Sequence, residues 1–182
     1  MRRRLFAALV PPPHMQAKLL KPATGVPGMR WTPAHNLHLT LRFLGHHPPE
    51  MEKKIIQALH GVTAAAPTID VQSVGRFGHQ GTPHALWAGV RHTAELEALH
   101  LAVEDAALSC GLKPDTHDFI PHITLGRANP KQVDVAAVEH WLRQHETFSL
   151  PPFEAREMML FSSAPSPTGA IYRVVEVFPL QT

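Results

Sequence analysis

Two short stretches of the chain share one order of residue types, His38-Leu39-Thr40-Leu41 and His122-Ile123-Thr124-Leu125. Each sets an imidazole and a hydroxyl two residues apart, with apolar residues between and after them. On a β-strand, side chains alternate faces with a period of two. His38 and Thr40 therefore share one face with Arg42, while Leu37, Leu39, Leu41 and Phe43 line the other. The same count pairs His122 with Thr124 and turns Ile123 and Leu125 toward apolar packing. One tetrad is a weak signal, because the chain has 14 histidines and Thr favours strands anyway. Two tetrads at equivalent points of a duplicated plan are a stronger one.

Two imidazoles across a small gap suit in-line displacement at phosphorus. With an unperturbed pKa of about 6.5, one ring can be neutral while the other is protonated near neutral pH. The neutral ring takes a proton from an attacking oxygen, and the protonated ring gives one to the oxygen departing on the opposite side. The threonine hydroxyls then donate to the non-bridging oxygens, where negative charge accumulates. This scheme needs neither a metal nor a cofactor.

Other candidates have plainer roles. His35 and His38 are spaced i, i+3, but the run into a strand turns such a pair to opposite faces. The sequence has no HExxH motif, so His35, His46, His47, His79 and His84 are expected at the surface or at caps. Arg42 has the parity of the tetrad and is a candidate for contact with an anionic substrate. Trp31, Phe77 and Phe119 stand beside loops or strand ends and could stack on a planar group of a substrate, with core packing the simpler role. Arg2–Arg4 is expected as a solvated strand start. The one cysteine, Cys110, excludes an intramolecular disulfide and a Cys-rich zinc site, and is expected to be a small buried residue. No GxxxxGK[ST] nucleotide-binding loop is present.

The elements that must carry these residues follow from periodicity. Strands are predicted over 4–10, 37–44, 69–77, 85–90, 119–126, 153–162 and 171–178, and helices over 11–20, 50–65, 93–110 and 133–145. Residues 25–36 are expected as a loop, and the Gly-rich stretch 78–84 as a hairpin connection. Val138, Trp141 and Leu142 share one face of their helix, and Gly111 ends the helix that Thr93 begins. A strand, a helix and a pair of strands thus follow in order from each tetrad, an internal duplication with little residue identity outside the tetrads.

The 182 residues allow one sizeable domain or two small lobes sharing a core. With 44% hydrophobic and 18% charged residues the composition is that of a globular protein. A net charge of +2 does not describe an electrostatically driven duplex binder, though it allows a local basic patch. The apolar run Leu5–Val10 is too short for a signal peptide, and nothing approaches a membrane span of about 20 apolar residues. A cytoplasmic location is expected.

Longer stretches surround the tetrads: "RLFAALVPP", "NLHLTLRFLG", "LWAGV", "FIPHITLGR" and "LFSSAPSPTGAIYRVVEVFPL". In these the chain resembles, over nearly its whole length, the 2H phosphoesterases, and within them the RNA 2',3'-cyclic phosphodiesterases also known as 2'-5' RNA ligases. The resemblance implies an α+β fold over residues 1–182, a single domain of two intertwined, pseudo-symmetric lobes, with two antiparallel sheets flanking a central cleft and helices outside. It implies metal-independent hydrolysis of RNA 2',3'-cyclic phosphate ends to 2'-phosphates, with 2'-5' ligation when a 5'-hydroxyl replaces water. On this reading His38 is the proton donor and His122 the acceptor, while Thr40, Thr124 and Arg127 bind phosphate. No metal or cofactor is implied, the partner is an RNA 3' end, and a monomer is expected. Strict alternation from His122 puts Arg127 on the apolar face, so its role rests on the resemblance and on a bulge or strand end at Gly126. The alternatives are a phosphodiesterase for 2'-5' linkages or small cyclic phosphates, and a non-catalytic module that binds RNA ends.

Overall fold

The computed structural model describes residues 1–79, 81–129 and 131–182. A first unit runs β1 (Arg3–Leu9), α1 (Pro13–Leu19), β2 (Met29–Trp31), a 3-10 turn at Ala34–Asn36, β3 (Leu39–His47), α2 (Pro49–His60), β4 (Thr68–Ile69) and β5 (Val71–His79). A second runs β6 (Thr82–Val90), α3 (Ala94–Ser109), β7 (His122–Ala128), α4 (Val135–Gln144), β8 (Phe153–Glu154) and β9 (Glu157–Ser166), after which β10 (Gly169–Pro179) completes the chain's strands. The helix starts have local causes. Thr93 and Asp134 accept bonds from the backbone N–H of Leu96 and Ala137, at 3.2 and 3.0 Å. α1 and α2 instead open on Pro13 and Pro49, whose missing N–H is no loss in a first turn.

The fold is α+β, and its main sheet has the strand order β10-β9-β1-β3-β7-β6-β5, with β2 added beside β7. Two halves of that sheet, both antiparallel, meet between β3 and β7 at one residue pair, Leu39 with Ile123. β4 and β8 form a separate two-stranded ladder. The pairing refines the duplication seen in the sequence. The unit begins one strand before the tetrad, and its last strand crosses over: β5 of the first unit pairs with β6 of the second, and β9 of the second with β1 of the first. The hairpin of β5 and β6, read from the sequence as a pair within one unit, thus joins the two units.

Apolar faces meet on one side of this sheet. Leu37, Leu39, Leu41, Ile123 and Leu125 are each at most 2% exposed and join Leu96, Leu99 and Val103 of α3 and Val138 and Trp141 of α4 in one core. Trp141 is fully enclosed because its Nε1–H donates to the Pro22 carbonyl at 2.7 Å. On the opposite face Phe6, Ala8 and Phe161 form a smaller cluster, which belongs to the cleft.

Several expectations change. Residues 25–36 contain β2 and a 3-10 turn, because Met29–Trp31 pairs with β7 and Thr32 N–H donates to the Leu125 carbonyl at 2.8 Å. Three residues are too few to show a period. The strands predicted at 69–77 and 153–162 each split in two, giving β4 with β5 and β8 with β9. The helix predicted at 50–65 stops at His60, ahead of Gly61. Cys110 is half-buried rather than buried, with its Sγ near the Lys54 carbonyl. The connection expected at 78–84 narrows around the pair His79 with Thr82, and Gln80 lies outside the described residues.

The junction between the halves makes a stability prediction. Leu39→Ala and Ile123→Ala should each cost about 2–5 kcal/mol in denaturant unfolding, as buried large-to-small changes do. Because the two positions face each other across the seam, the double variant should depart from additivity by roughly 0.5 kcal/mol or more.

Candidate active site

The pair Leu39 with Ile123 fixes the site by register. In an antiparallel ladder it sets His38 opposite Thr124 and Thr40 opposite His122. All four side chains leave the sheet on the face away from the core, because Leu39 and Ile123 both point into it. The two histidines are then diagonal neighbours, at a spacing of roughly 7–8 Å between backbone positions. Each histidine shares a groove with the threonine of the other tetrad. His38 and Thr124 line one of about 510 Å³, and Thr40 and His122 line another of about 590 Å³.

Both rings are held in the same way. His38 Nδ1 lies 2.7 Å from the Asn36 carbonyl and His122 Nδ1 lies 2.6 Å from the Ile120 carbonyl, each two residues upstream. A carbonyl only accepts, so Nδ1 carries the hydrogen and Nε2 is the basic nitrogen of each ring. The Asn36 side chain in turn donates to the Ala170 carbonyl at 3.0 Å, which ties the support of His38 to β10. Aromatic rings complete the two settings. Phe6 and Tyr172 lie 4.9 and 5.3 Å from the His38 ring, and Phe77 and Trp87 lie 4.7 and 5.9 Å from the His122 ring. Trp87 Nε1 is buried and has no partner among the described residues.

These surroundings disfavour the charged imidazole. Burial holds the His38 pKa down to about 4; the Asn36 carbonyl opposes this, and the charges of Arg127 and His122 add to it. His122 is lowered by burial as well, with the Ile120 carbonyl opposing and Arg127 contributing. In the free protein both rings are therefore neutral at pH 7, and an anion between them would favour proton uptake.

Each tetrad ends in a β-bulge at its final leucine. Ala8 pairs with Thr40 and Ala7 with Arg42, which leaves Leu41 extra; Trp87 pairs with Thr124 and Leu86 with Gly126, which leaves Leu125 extra. The extra residue reverses the parity of the residues after it. Arg127 thereby returns to the cleft face, which strict alternation denied it, and lines the same groove as His38 and Thr124. Arg42 is turned the other way. It is 8% exposed, pairs with Glu104 of α3, and donates to the Phe43 and Lys113 carbonyls at 2.7 and 2.6 Å. Arg42 is therefore a buried structural cation and no candidate for RNA contact. Its counterpart on the cleft side is Phe43, five residues after His38 as Arg127 is five after His122.

Trp31 lines the His38 groove, and Phe77 and Phe119 line the His122 groove. Phe6, Tyr172 and Trp87 were not singled out from the sequence, because their places depend on strands paired from far along the chain. The apolar alternation of β1 carried a partial signal, since Phe6 falls opposite in parity to Leu5, Ala7 and Leu9. The two grooves also differ in charge. The His38 groove is bordered by the guanidiniums of Arg30 and Arg127 and by no carboxylate among the described residues. The His122 groove is bordered by Asp115 and Asp118, and its one arginine, Arg42, is already paired.

Four convergent side chains, two imidazoles and two hydroxyls, with arginine at the rim, define a site suited to acid–base chemistry on an anion. Similarity to known proteins agrees with that class. The family model for the 2'-5' RNA ligase superfamily matches residues 11–164, and the chain belongs to that superfamily, the 2H phosphoesterases. An RNA 2',3'-cyclic phosphodiesterase of Archaeoglobus fulgidus is 33% identical over 178 residues, covering 96% of this chain and 99% of that one. Among solved structures, TT0787 of Thermus thermophilus aligns with a TM-score of 0.75 and 28% identity over 98% of both chains. LigT of E. coli, complexed with 3'-AMP, shares the fold with a TM-score of 0.75 over the whole of both chains at 23% identity.

The lowered histidines predict a direction in pH. An unfolded chain takes up protons near the ordinary histidine value of 6.5, whereas the folded chain resists until lower pH. The stability these rings allow is complete above that ordinary value and is lost as pH falls toward 4, the folded value of His38. NMR titration of the free protein should place both rings below 6.5, with His38 the lower. Replacing His38 with Asn should flatten the fall of stability over that window.

Proposed function

We propose that this chain is a metal-independent RNA 2',3'-cyclic phosphodiesterase that leaves a 2'-phosphate. The observation that carries the reading is the register at Leu39 and Ile123, which sets two tethered imidazoles diagonally across one gap with a hydroxyl beside each. The activity for which the A. fulgidus relative is named supports the choice of substrate. Water attacks phosphorus as His122 Nε2 removes its proton. The bond from phosphorus to O3' breaks on the opposite side, and His38 gives O3' its proton. The 2'-ester bond stays intact, so the product is a 2'-phosphate beside a free 3'-hydroxyl. Thr40, Thr124 and Arg127 meet the charge that builds on the non-bridging oxygens. A 5'-hydroxyl in the place of water would form a 2'-5' linkage by the same two proton transfers.

The order of the two roles is supported by the grooves. His38 borders the basic groove, where the RNA and its O3' would lie, and His122 borders the acidic one, which suits water better than a second anionic strand. A second reading reverses the roles, and the deeper depression of the His38 pKa favours it. We further propose that residues 1–182 act as a single domain and a monomer, since the site is assembled within one chain, and that the protein works in the cytoplasm.

Turnover of a cyclic-ended RNA by His38→Ala and His122→Ala should each fall by about 10²–10⁴-fold, the usual contribution of a positioned acid or base. EDTA should leave the rate unchanged, and the terminal phosphate should map to the 2'-oxygen. Full activity in either single variant overturns the mechanism. A cyclic substrate with sulfur in place of O3' separates the two orders. A thiolate leaves without protonation, so the variant lacking the acid should recover and the variant lacking the base should not. Recovery of His122→Ala instead of His38→Ala selects the reversed order.

A further inference from the structure

Arg30 stands in a position that the terminal cyclic phosphate alone does not explain. It lies on β2 directly across from Arg127 on β7, so two guanidiniums project from paired positions into one groove. Like charges directly opposite one another on a sheet repel, and no carboxylate lies within ion-pair distance of either among the described residues. Both residues are exposed, so the repulsion is screened by solvent and waits for an anion.

The surroundings are shaped to bring one in. The turn from β9 to β10 forms the far wall, with Ser166, Thr168 and Gly169 lining the groove. Ser166 Oγ donates to the Gly169 carbonyl, which holds the turn. Gly169 has φ +128°, a backbone conformation that favours glycine, and the Arg30 guanidinium lies beside it. Asn36 fastens the same wall to the segment that supports His38. From the reacting position, between the tetrads, the groove thus reaches Arg127 with Arg30 beside it, and meets hydroxyls but no carboxylate among the described residues. On the other flank Asp115 and Asp118 repel a phosphate.

We infer that Arg30 forms a second phosphate subsite, which binds the phosphodiester one nucleotide upstream of the reacting end. The inference rests on the cyclic phosphodiesterase reading. It makes the preferred substrate an RNA strand of two or more nucleotides rather than a nucleoside cyclic monophosphate. It also sets the polarity of the bound strand, with the chain leaving the site past Arg127 and Arg30. Arg127 holds the reacting phosphate and Arg30 the next one, which explains two unpaired guanidiniums facing each other.

The test compares the dinucleotide ApA ending in 2',3'-cyclic phosphate with adenosine 2',3'-cyclic monophosphate. In parallel, calorimetry measures binding of the two corresponding 2'-phosphate products. The wild type should prefer the dinucleotide by roughly tenfold in kcat/KM and in Kd, the scale of one charge-assisted hydrogen bond. Arg30→Ala should erase most of that preference and Arg30→Lys should keep part of it. A dinucleotide whose upstream phosphate is a neutral methylphosphonate should bring the wild type down to the level of Arg30→Ala, and should make the variant no worse. The slope of log affinity against log salt should be steeper for the dinucleotide product by about 0.7, and Arg30→Ala should remove the difference. Equal losses on both ligands, or a wild type with no dinucleotide preference, overturn the subsite. If the wild type turns over neither substrate, the hydrolytic reading fails, while the binding preference and its response to Arg30→Ala still decide the subsite.

Discussion

The contact between Leu39 and Ile123 is the constraint on which the rest of the site depends. Among the described residues it is the only ladder pair joining β3 to β7, and each residue is the second of its tetrad. Equivalent residues meet there, so the pseudo-twofold axis that relates the two units passes through the contact. That symmetry turns two copies of a linear pattern into a square with histidines at opposite corners. Burial of both residues also decides which face carries the chemistry. The apolar side chains go down into the core, and the imidazoles and hydroxyls stand on the other face. A slip of one residue in this register would turn the polar set into the core.

The same backbone supplies the electrostatics. A carbonyl two residues upstream fixes each Nδ1, so Nε2 of each ring is the nitrogen that can exchange protons. Aromatic walls and burial keep both rings neutral until an anion arrives, and the cationic Arg127 acts on both in the same direction. A phosphate bound between the rings reverses that balance: it offsets Arg127 and rewards a proton on one ring. The site therefore acquires its acid from the substrate's own charge. The cleft's charge is unequal on its two sides, and this breaks a symmetry that the tetrads alone would leave intact.

Much of this was legible in the sequence, for reasons that particular residues make plain. His38, Thr40, His122 and Thr124 could be assigned to one face because period two needs only local information, and the tetrads lie on strands as expected save His38, one residue ahead of β3. Parity failed beyond them. Leu41 and Leu125 are ordinary strand leucines in the sequence, yet both are the extra residue of a bulge, and only the partner strands β1 and β6 reveal it. That one fact moved Arg42 into an ion pair with Glu104 and Arg127 out to the cleft. β2 was invisible for a similar reason, since three residues carry no period and its strand character comes from pairing with β7. The resemblance to a family supplied Arg127 where counting could not.

The crossing of β5 and β9 has a consequence for ancestry. Neither unit holds all the strands of its own half of the sheet, because each takes its outer strand from the other. One unit alone would leave an open edge beside β1 or β6, and a second copy would be the natural means of closing it. Such a pair would be a domain-swapped homodimer with identical histidines, in which only the orientation of the substrate could tell donor from acceptor. With both tetrads in one chain, each is free to differ from the other. Phe43 and Arg127, five residues beyond their histidines, show that divergence in a single pair of positions.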